Sequence, residues 1–234
     1  MSNKKSMPTA TAIIVAAGSS TRMRNADKQF ILIDEIPVLA HTLMNFDRAK
    51  TIDGVIIVTR PENILKINDL IREFGILKVK SIIPGGATRQ ESVLSGLNEL
   101  KESSLVAIHD GARPFASPKL IDDTVLAAYE HKSAAPGVIP KDTIKVLGSE
   151  NTVLNTIDRD TLRLIQTPQV FYADALKLAY KVALDSGFVG TDDCSVMEFF
   201  GGSVYITEGE YTNIKVTTPE DLPVAEAIYN YLKK

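Results

Sequence analysis

Short apolar runs alternate along the chain with stretches whose apolar residues repeat every three or four positions. Five runs are rich in β-branched residues and too short for helices, which is typical of buried strands. They lie at residues 12–17, 55–58, 79–83, 105–108 and 134–139. The helical spacing covers residues 37–46, 64–74, 89–100 and 120–129. This alternation predicts a Rossmann-like α/β fold, with a mainly parallel sheet flanked by helices.

The alternation of strands and helices breaks near Pro140. Residues 143–147 and 152–157 alternate apolar and polar side chains on either side of Gly148–Asn151, which predicts a β-hairpin. We expect its apolar face to be buried against a second subunit. Five further elements complete the pattern. They are a helix at 173–184, a helix that starts at 191–193, strands at 203–207 and 213–216, and a C-terminal helix that starts at 218–221.

Composition narrows the class of protein. Hydrophobic residues make up 44% and charged residues 24%, which is typical of a soluble globular protein. We find no repeat or flexible linker, so we expect one domain over residues 1–234 with a β-arm at about 140–160. The net charge of −3 argues against nucleic-acid binding, and no apolar run is long enough to span a membrane. Cys194 is the only cysteine, which favours a reducing cytoplasm and argues against a Cys/His zinc site.

The loop after the first strand carries candidate anion-binding chemistry. Gly18 is followed by small hydroxyl residues and by Arg22 and Lys28. A glycine lets backbone amides approach a phosphate, and the two cations can bind its oxygens. The loop matches neither common glycine-rich phosphate motif. Taken alone, it is equally compatible with a tight turn that carries solvated basic residues.

Two more strand ends carry polar or glycine-rich loops, and in a parallel sheet they share the edge with Gly18. Gly85-Gly86 would let backbone groups approach a base, but it is as often a simple turn before a helix. Asp110 is suited either to Mg²⁺ beside phosphates or to capping a turn. We interpret His109 as a packing residue, and Asp192 and Asp193 as charges at a helix N-terminus.

Taken together, these motifs make a family recognisable. From about residue 12 to 230 the chain resembles the 2-C-methyl-D-erythritol 4-phosphate cytidylyltransferases. The residues that carry the resemblance are Ala16–Met23, Asp27–Phe30, Gly85-Gly86, Arg89, Ser92-Val93, His109–Pro114, Lys141–Thr143, Asp158-Arg159, Gln166–Gln169, Thr191–Asp193 and Asn213–Thr217.

This resemblance implies transfer of CMP from CTP to 2-C-methyl-D-erythritol 4-phosphate, with release of pyrophosphate, in non-mevalonate isoprenoid synthesis. It also implies Mg²⁺ as cofactor and a homodimer joined through the hairpin. It implies that Arg22 and Lys28 are catalytic and that Asp110 is both a substrate and a metal ligand. The implied cytidine-binding residues are Ala16, Ala17, Gly18, Gly85, Gly86 and Ser92. The other implied acceptor-binding residues are Arg113, Thr143, Arg159, Thr167 and Lys215.

Three alternatives remain. Ribitol 5-phosphate cytidylyltransferases share most of the motifs, although His109–Pro114 favours the methylerythritol enzyme. One position departs from the family's pattern: Thr212 stands where some members have an acidic residue, so an acidic contribution there is not assumed. A dehydrogenase would need the three-glycine fingerprint, which the chain lacks, and a non-catalytic nucleotide-binding module would not need Arg22, Lys28 and Asp110 together.

Overall fold

The computed structural model of the chain describes residues 7–18, 27–101 and 104–233. The strands are β1 (Ala10–Ala16), β2 (Leu32–Ile33), β3 (Ile36–Pro37), β4 (Ile52–Thr59), β5 (Val79–Pro84), β6 (Leu105–Asp110), β7 (Ser133–Val138), β8 (Lys145–Leu147), β9 (Val153–Thr156), β10 (Leu164–Ile165), β11 (Gln169–Tyr172) and β12 (Tyr205–Glu208). The helices are α1 (Val38–Arg48), α2 (Ile64–Glu73), α3 (Arg89–Glu99), α4 (Pro118–His131), α5 (Ala173–Asp185), α6 (Asp193–Phe199) and α7 (Asp221–Leu232). Within these ranges, no helix has the length and apolar character needed to cross a membrane.

Eight of the described strands form one mixed sheet in the order β10-β7-β11-β6-β1-β4-β5, with β12 paired to β7. β1 is parallel to both β4 and β6, and β4 is parallel to β5. The parallel half of the sheet, formed by β6, β1, β4 and β5, confirms the predicted Rossmann-like arrangement. β11 was not predicted, and it lies antiparallel between β6 and β7. Its four residues run directly into α5, so the sequence offers neither a long alternation nor a turn that would mark a separate strand.

The sheet has an apolar layer on each face. Neighbouring residues of β1 point to opposite layers, because side chains alternate along a strand. Ile14 packs with residues of α1, α2 and α4, whereas Ile13 packs with residues of α3, α5 and α6. Both residues are fully buried. A smaller apolar cluster, which includes Ile33, Phe115 and Ala225, joins α7 to the loops near the carboxyl edge of the sheet.

The predicted hairpin is present, but it is separate from the main sheet. β8 and β9 pair antiparallel as a two-stranded sheet, which confirms the pairing expected from the alternation. Its apolar side chains are exposed in the single chain, with Leu147 at 53%, Val153 at 56% and Leu154 at 69%. That the hairpin projects as an arm and contacts a second subunit therefore stays a prediction.

One predicted strand is wrong. Residues 213–216 do not form a strand, and isolated hydrogen bonds hold them instead. The buried side chain of Asn213 donates to the carbonyl oxygen of Thr167 at 3.0 Å, and the backbone N–H of Val216 donates to the carbonyl oxygen of Ala112 at 2.8 Å. This segment therefore runs beside the carboxyl end of β6, where it places Lys215.

Candidate active site

A cavity of about 330 Å³ opens at the carboxyl edge of the sheet. Ala17 and Gly18 follow β1, Gly86 follows β5, Asp110 ends β6, and Lys215 comes from the loop before α7. All five residues line the cavity. This arrangement confirms that the three strand ends identified in the sequence converge.

Gly85 keeps the inner wall of this cavity compact. A Cβ atom at Gly85 would lie 2.6 Å from the Cβ of Ala17 and 2.7 Å from the Oγ of Ser92, which is closer than packed atoms approach. Ser92 is buried, and its Oγ accepts a hydrogen bond from the backbone N–H of Gly86 at 3.2 Å. Ala16 is buried at the end of β1. The predicted cytidine-binding residues therefore lie together, and the requirement for glycine is one of space.

Asp110 lies within reach of three cations. Its carboxylate is 3.0 Å from the Nζ of Lys215, 3.4 Å from the Nε of Arg113 and 3.5 Å from the Nε of Arg89. Burial alone would raise the pKa of Asp110, but the charges of Lys215, Arg89 and Arg113 outweigh it and hold the pKa well below its ordinary value. Arg113 also donates to the carbonyl oxygen of Asn213 at 2.8 Å, which anchors it behind Asp110.

Thr167 and His109 form a buried support beneath Asp110. The Oγ1 of Thr167 accepts the backbone N–H of Asp110 at 3.2 Å and lies 2.9 Å from the Nδ1 of His109. The Nε2 of His109 lies 3.3 Å from the carbonyl oxygen of Arg113. These contacts fit a neutral imidazole with its proton on Nε2, because the hydroxyl proton of Thr167 is then directed to Nδ1. His109 is fully buried, which confirms its interpretation as a packing residue.

The turn that carries Lys28 is tied to the loop after β4. Lys28 lines the cavity. The carboxylate of the preceding residue, Asp27, accepts hydrogen bonds from Arg60 at 2.5 Å and from Asn63 at 2.6 Å. Its other oxygen lies 3.3 Å from the backbone nitrogen of Gln29, which donates to it. Asp27 therefore fixes the backbone on both sides of Lys28.

The remaining predicted residues that the structure describes do not line the cavity. Arg22 lies outside the described residues. Within the described chain, six other predicted residues do not line the cavity: Ala16, Gly85, Arg113, Thr143, Arg159 and Thr167. Thr143 and Arg159 are exposed near the ends of the hairpin, and Arg159 donates to the carbonyl oxygen of Lys141 at 3.2 Å. Seven of the fourteen predicted site residues thus line the cavity of a single chain, and the described residues of the arm do not.

Arg89 is a cation of the cavity that the sequence analysis did not assign to the site. Arg89 is the first residue of α3, lines the cavity and pairs with Asp193 at 2.6 Å. Its position at the end of the Gly85–Arg89 motif, on the same sheet edge as Asp110, could have identified it. Asp192 and Asp193 lie at the N-terminus of α6, as predicted, and Asp192 is its N-cap. The pairing of Asp193 with Arg89 has no local signal, because 104 positions separate the two residues.

The donor set of the cavity does not form a magnesium site by itself. In the described ranges, no three His, Cys, Asp or Glu side chains cluster closely enough to hold a metal ion. Asp110 is a single carboxylate, and each of its oxygens faces a cation. Because Mg²⁺ is commonly held by one or two carboxylates plus substrate phosphates, these residues fit an ion that is bound largely by a triphosphate.

Comparison with known proteins agrees with this geometry. The family model for 2-C-methyl-D-erythritol 4-phosphate cytidylyltransferase (IspD) matches residues 10–231. The chain is 43% identical over 224 residues to the curated enzyme of that name from Clostridium novyi, covering 95% of this chain and 97% of the relative. It is 45% identical over 219 residues to the one from Caldanaerobacter subterraneus subsp. tengcongensis, covering 92% and 96%.

Solved structures give the same result. The 4-diphosphocytidyl-2C-methyl-D-erythritol synthase from Anaerococcus prevotii matches with a TM-score of 0.86 at 36% identity, covering 97% of both chains. The 2-C-methyl-D-erythritol 4-phosphate cytidylyltransferase from Thermus thermophilus matches with a TM-score of 0.76 at 30% identity, covering 96% of this chain and all of the other. Sequence and fold agree over nearly the whole length, so the chain belongs to the 2-C-methyl-D-erythritol 4-phosphate cytidylyltransferase family.

Proposed function

We propose that the protein transfers CMP from CTP to the phosphate of 2-C-methyl-D-erythritol 4-phosphate and releases pyrophosphate, in non-mevalonate isoprenoid synthesis. The observation that carries this proposal is the cavity at the carboxyl edge, where Asp110, Lys215 and Arg89 meet beside Lys28. Its volume and charges suit a nucleoside triphosphate that approaches a second phosphate. Membership of the family supplies the identity of the nucleotide and the acceptor.

The reaction is an in-line displacement at the α-phosphorus of CTP. An anionic phosphate oxygen of the acceptor forms the new P–O bond, while the bond from the α-phosphorus to the bridging oxygen breaks and pyrophosphate leaves with that electron pair. The nucleophile is already charged, so catalysis needs positioning and charge neutralisation and no strong general base. We assign the neutralising charges to Lys28 and Arg22. The burial of His109 beneath Asp110 agrees with a mechanism that uses no histidine base.

The glycine-walled part of the cavity is proposed to bind cytidine. Ala17, Gly18 and Gly86 line it. Because these residues carry a single methyl group or no side chain, a flat base can approach the backbone closely. Ser92 holds the backbone of Gly86 in place through its Oγ. Replacing Gly85 would displace Ala17 or Ser92, because an added Cβ would lie 2.6 Å and 2.7 Å from their side chains.

The acceptor side of the cavity is proposed to form around Asp110 and Lys215, with Thr167 supporting the backbone of Asp110. Thr143 and Arg159 belong to the exposed arm. We infer that they reach the acceptor phosphate in a homodimer, in which the exposed apolar side chains of the arm would be covered. The charge of Arg113 contributes from behind Asp110, where it is anchored to the backbone.

The proposed cofactor is Mg²⁺, bound mainly by the triphosphate, with Asp110 as the carboxylate that the protein can supply. When bound, the ion adds positive charge to the triphosphate oxygens. The three cations around Asp110 keep it ionised, as a metal ligand requires. We also propose that the 234 residues form one nucleotidyltransferase domain and act in the cytoplasm, where the lone Cys194 stays reduced.

Pyrophosphate release tests the proposed function. The protein is incubated with CTP and Mg²⁺ and with either 2-C-methyl-D-erythritol 4-phosphate or ribitol 5-phosphate at equal, sub-saturating concentration. The ratio of the two specificity constants identifies the acceptor. We expect a strong preference for the methylerythritol substrate. Without an acceptor, we expect no pyrophosphate release. Preference for ribitol 5-phosphate, or no release with either substrate, would contradict the proposed acceptor.

A further inference from the structure

The guanidinium of Arg89 is held between two carboxylates. Its Nη1 and Nη2 donate to the two oxygens of Asp193 at 3.1 and 2.6 Å, a fork-to-fork arrangement. Its Nε lies 3.5 Å from Asp110. The pair with Asp193 therefore uses the two terminal nitrogens, and it orients the guanidinium so that its edge faces the cavity and Asp110.

Asp193 is itself rigidly held. Its side chain is fully buried, and the hydroxyl of Tyr180 donates to the same carboxylate oxygen that receives the Nη1 of Arg89, at 2.5 Å. The side-chain amide of Gln169 donates to Asp192 at 2.8 Å, and its oxygen accepts the backbone N–H of Cys194 at 3.0 Å. Gln169 thus fixes the first turn of α6 on β11, and with it the carboxylate of Asp193.

We propose that Asp193 is a positioning residue for the nucleotide site: by holding Arg89 in one orientation, it sets the charge that CTP meets beside Asp110. This inference rests on the proposed function, because it takes the cavity to bind CTP. If Asp193 were removed, Arg89 would be free to turn toward Asp110 or toward solvent. A preorganised cation costs less to bring to an anionic ligand than one that must be ordered during binding.

The competing explanation is that the pair merely ties α6 to α3. The chain offers a matched control, because Gln90 makes a second tie between the start of α3 and the segment before α6. The side chain of Gln90 donates to the carbonyl oxygen of Phe188 and accepts the backbone N–H of Gly190, both at 3.2 Å. Gln90 does not line the cavity, within the described chain. Its replacement loosens the same junction and leaves the pair of Arg89 with Asp193 intact.

The experiment measures the dissociation constant for CTP by titration calorimetry, without an acceptor. The variants are Asp193→Asn, Arg89→Gln, the double variant and Gln90→Leu. We expect Asp193→Asn to weaken binding about tenfold, the equivalent of one lost charge-assisted contact. The double variant should bind no more weakly than Arg89→Gln, because Asp193 acts through Arg89. Gln90→Leu should stay within about twofold of the wild type, since it leaves the charged groups in place.

Three results would overturn the positioning role. They are unchanged binding by Asp193→Asn, a loss in Gln90→Leu as large as that in Asp193→Asn, and losses that multiply in the double variant. If Asp193→Asn does not fold, Tyr180→Phe decides. It removes one hydrogen bond to Asp193, and it should weaken CTP binding in the wild-type background but not in Arg89→Gln. No loss in the wild-type background, or an equal loss in both backgrounds, would reject the proposal.

The outcome is separable from that of the proposed function. The titration contains no acceptor, so a protein that binds CTP but releases no pyrophosphate overturns the proposed acceptor and leaves the comparison of variants decisive. A wild type that binds no CTP overturns both. Intact folding is checked for every variant by its thermal unfolding midpoint.

Discussion

Lowering the pH from 8 to 5 should destabilise the fold through one buried side chain, His109. The ring is fully buried, packs 4.7 Å from Phe46 and satisfies both nitrogens as a neutral imidazole, through Thr167 and Arg113. Burial lowers the pKa of His109 from its ordinary value of 6.5 to about 3. The folded protein therefore resists protonation of this ring, whereas the unfolded chain does not.

The sign and size of the effect follow from proton linkage. Between pH 6.5 and about 3 the unfolded state binds a proton that the folded state does not, so the free energy of unfolding falls as the pH falls. At pH 8 the protonation of His109 contributes almost nothing to the free energy of unfolding. At pH 5 the unfolded state gains about 2 kcal/mol relative to the folded state, and the limit below the folded pKa is roughly 5 kcal/mol.

Urea unfolding at pH 8, 7, 6 and 5 measures this difference in the wild type and in His109→Asn. The variant should be less stable at pH 8, because the asparagine fills less of the buried volume. Between pH 8 and 5, its free energy of unfolding should fall by about 2 kcal/mol less than that of the wild type. His41, whose pKa burial also lowers, titrates in both proteins and cancels in the comparison. Parallel pH profiles would refute the buried, neutral state of His109.

Three further predictions concern the cavity. Lys28→Ala should keep the thermal unfolding midpoint but lower turnover by about 10²–10³-fold, measured as pyrophosphate release, and near-normal turnover would reject its catalytic role. Gly85→Ala should lower the free energy of urea unfolding by about 1–3 kcal/mol, because its methyl group would lie 2.7 Å from the Oγ of Ser92; unchanged stability would mean that the wall adjusts freely. Asp27→Ala should lower turnover about tenfold without changing the unfolding midpoint by more than a few degrees, because the hydrogen bond from Arg60 at 2.5 Å no longer anchors the turn before Lys28; full turnover in steady-state assays would show that this anchor is dispensable.

The sequence by itself determined the alternation of strands and helices and the edge at which the chemistry gathers. Both follow from local rules: apolar periodicity separates strand from helix, and parallel strands share their carboxyl edge. These rules are sufficient to place Gly18, Gly86 and Asp110 at one edge, where all three line the cavity. The roles of the predicted site residues remain predictions, and Arg22 lies outside the described residues.

Tertiary structure alone decided which charged side chains lie close together at the carboxyl edge of the sheet. The insertion of β11 between β6 and β7 fixes Gln169, which in turn places α6 and Asp193 beside Arg89. In the same way, the loop at Lys215 reaches Asp110 although more than a hundred positions separate them. Such contacts depend on the order of strands and on the packing of distant helices. Local patterns carry no information about either, because the free energy that selects them comes from burial and charge pairing across the whole fold.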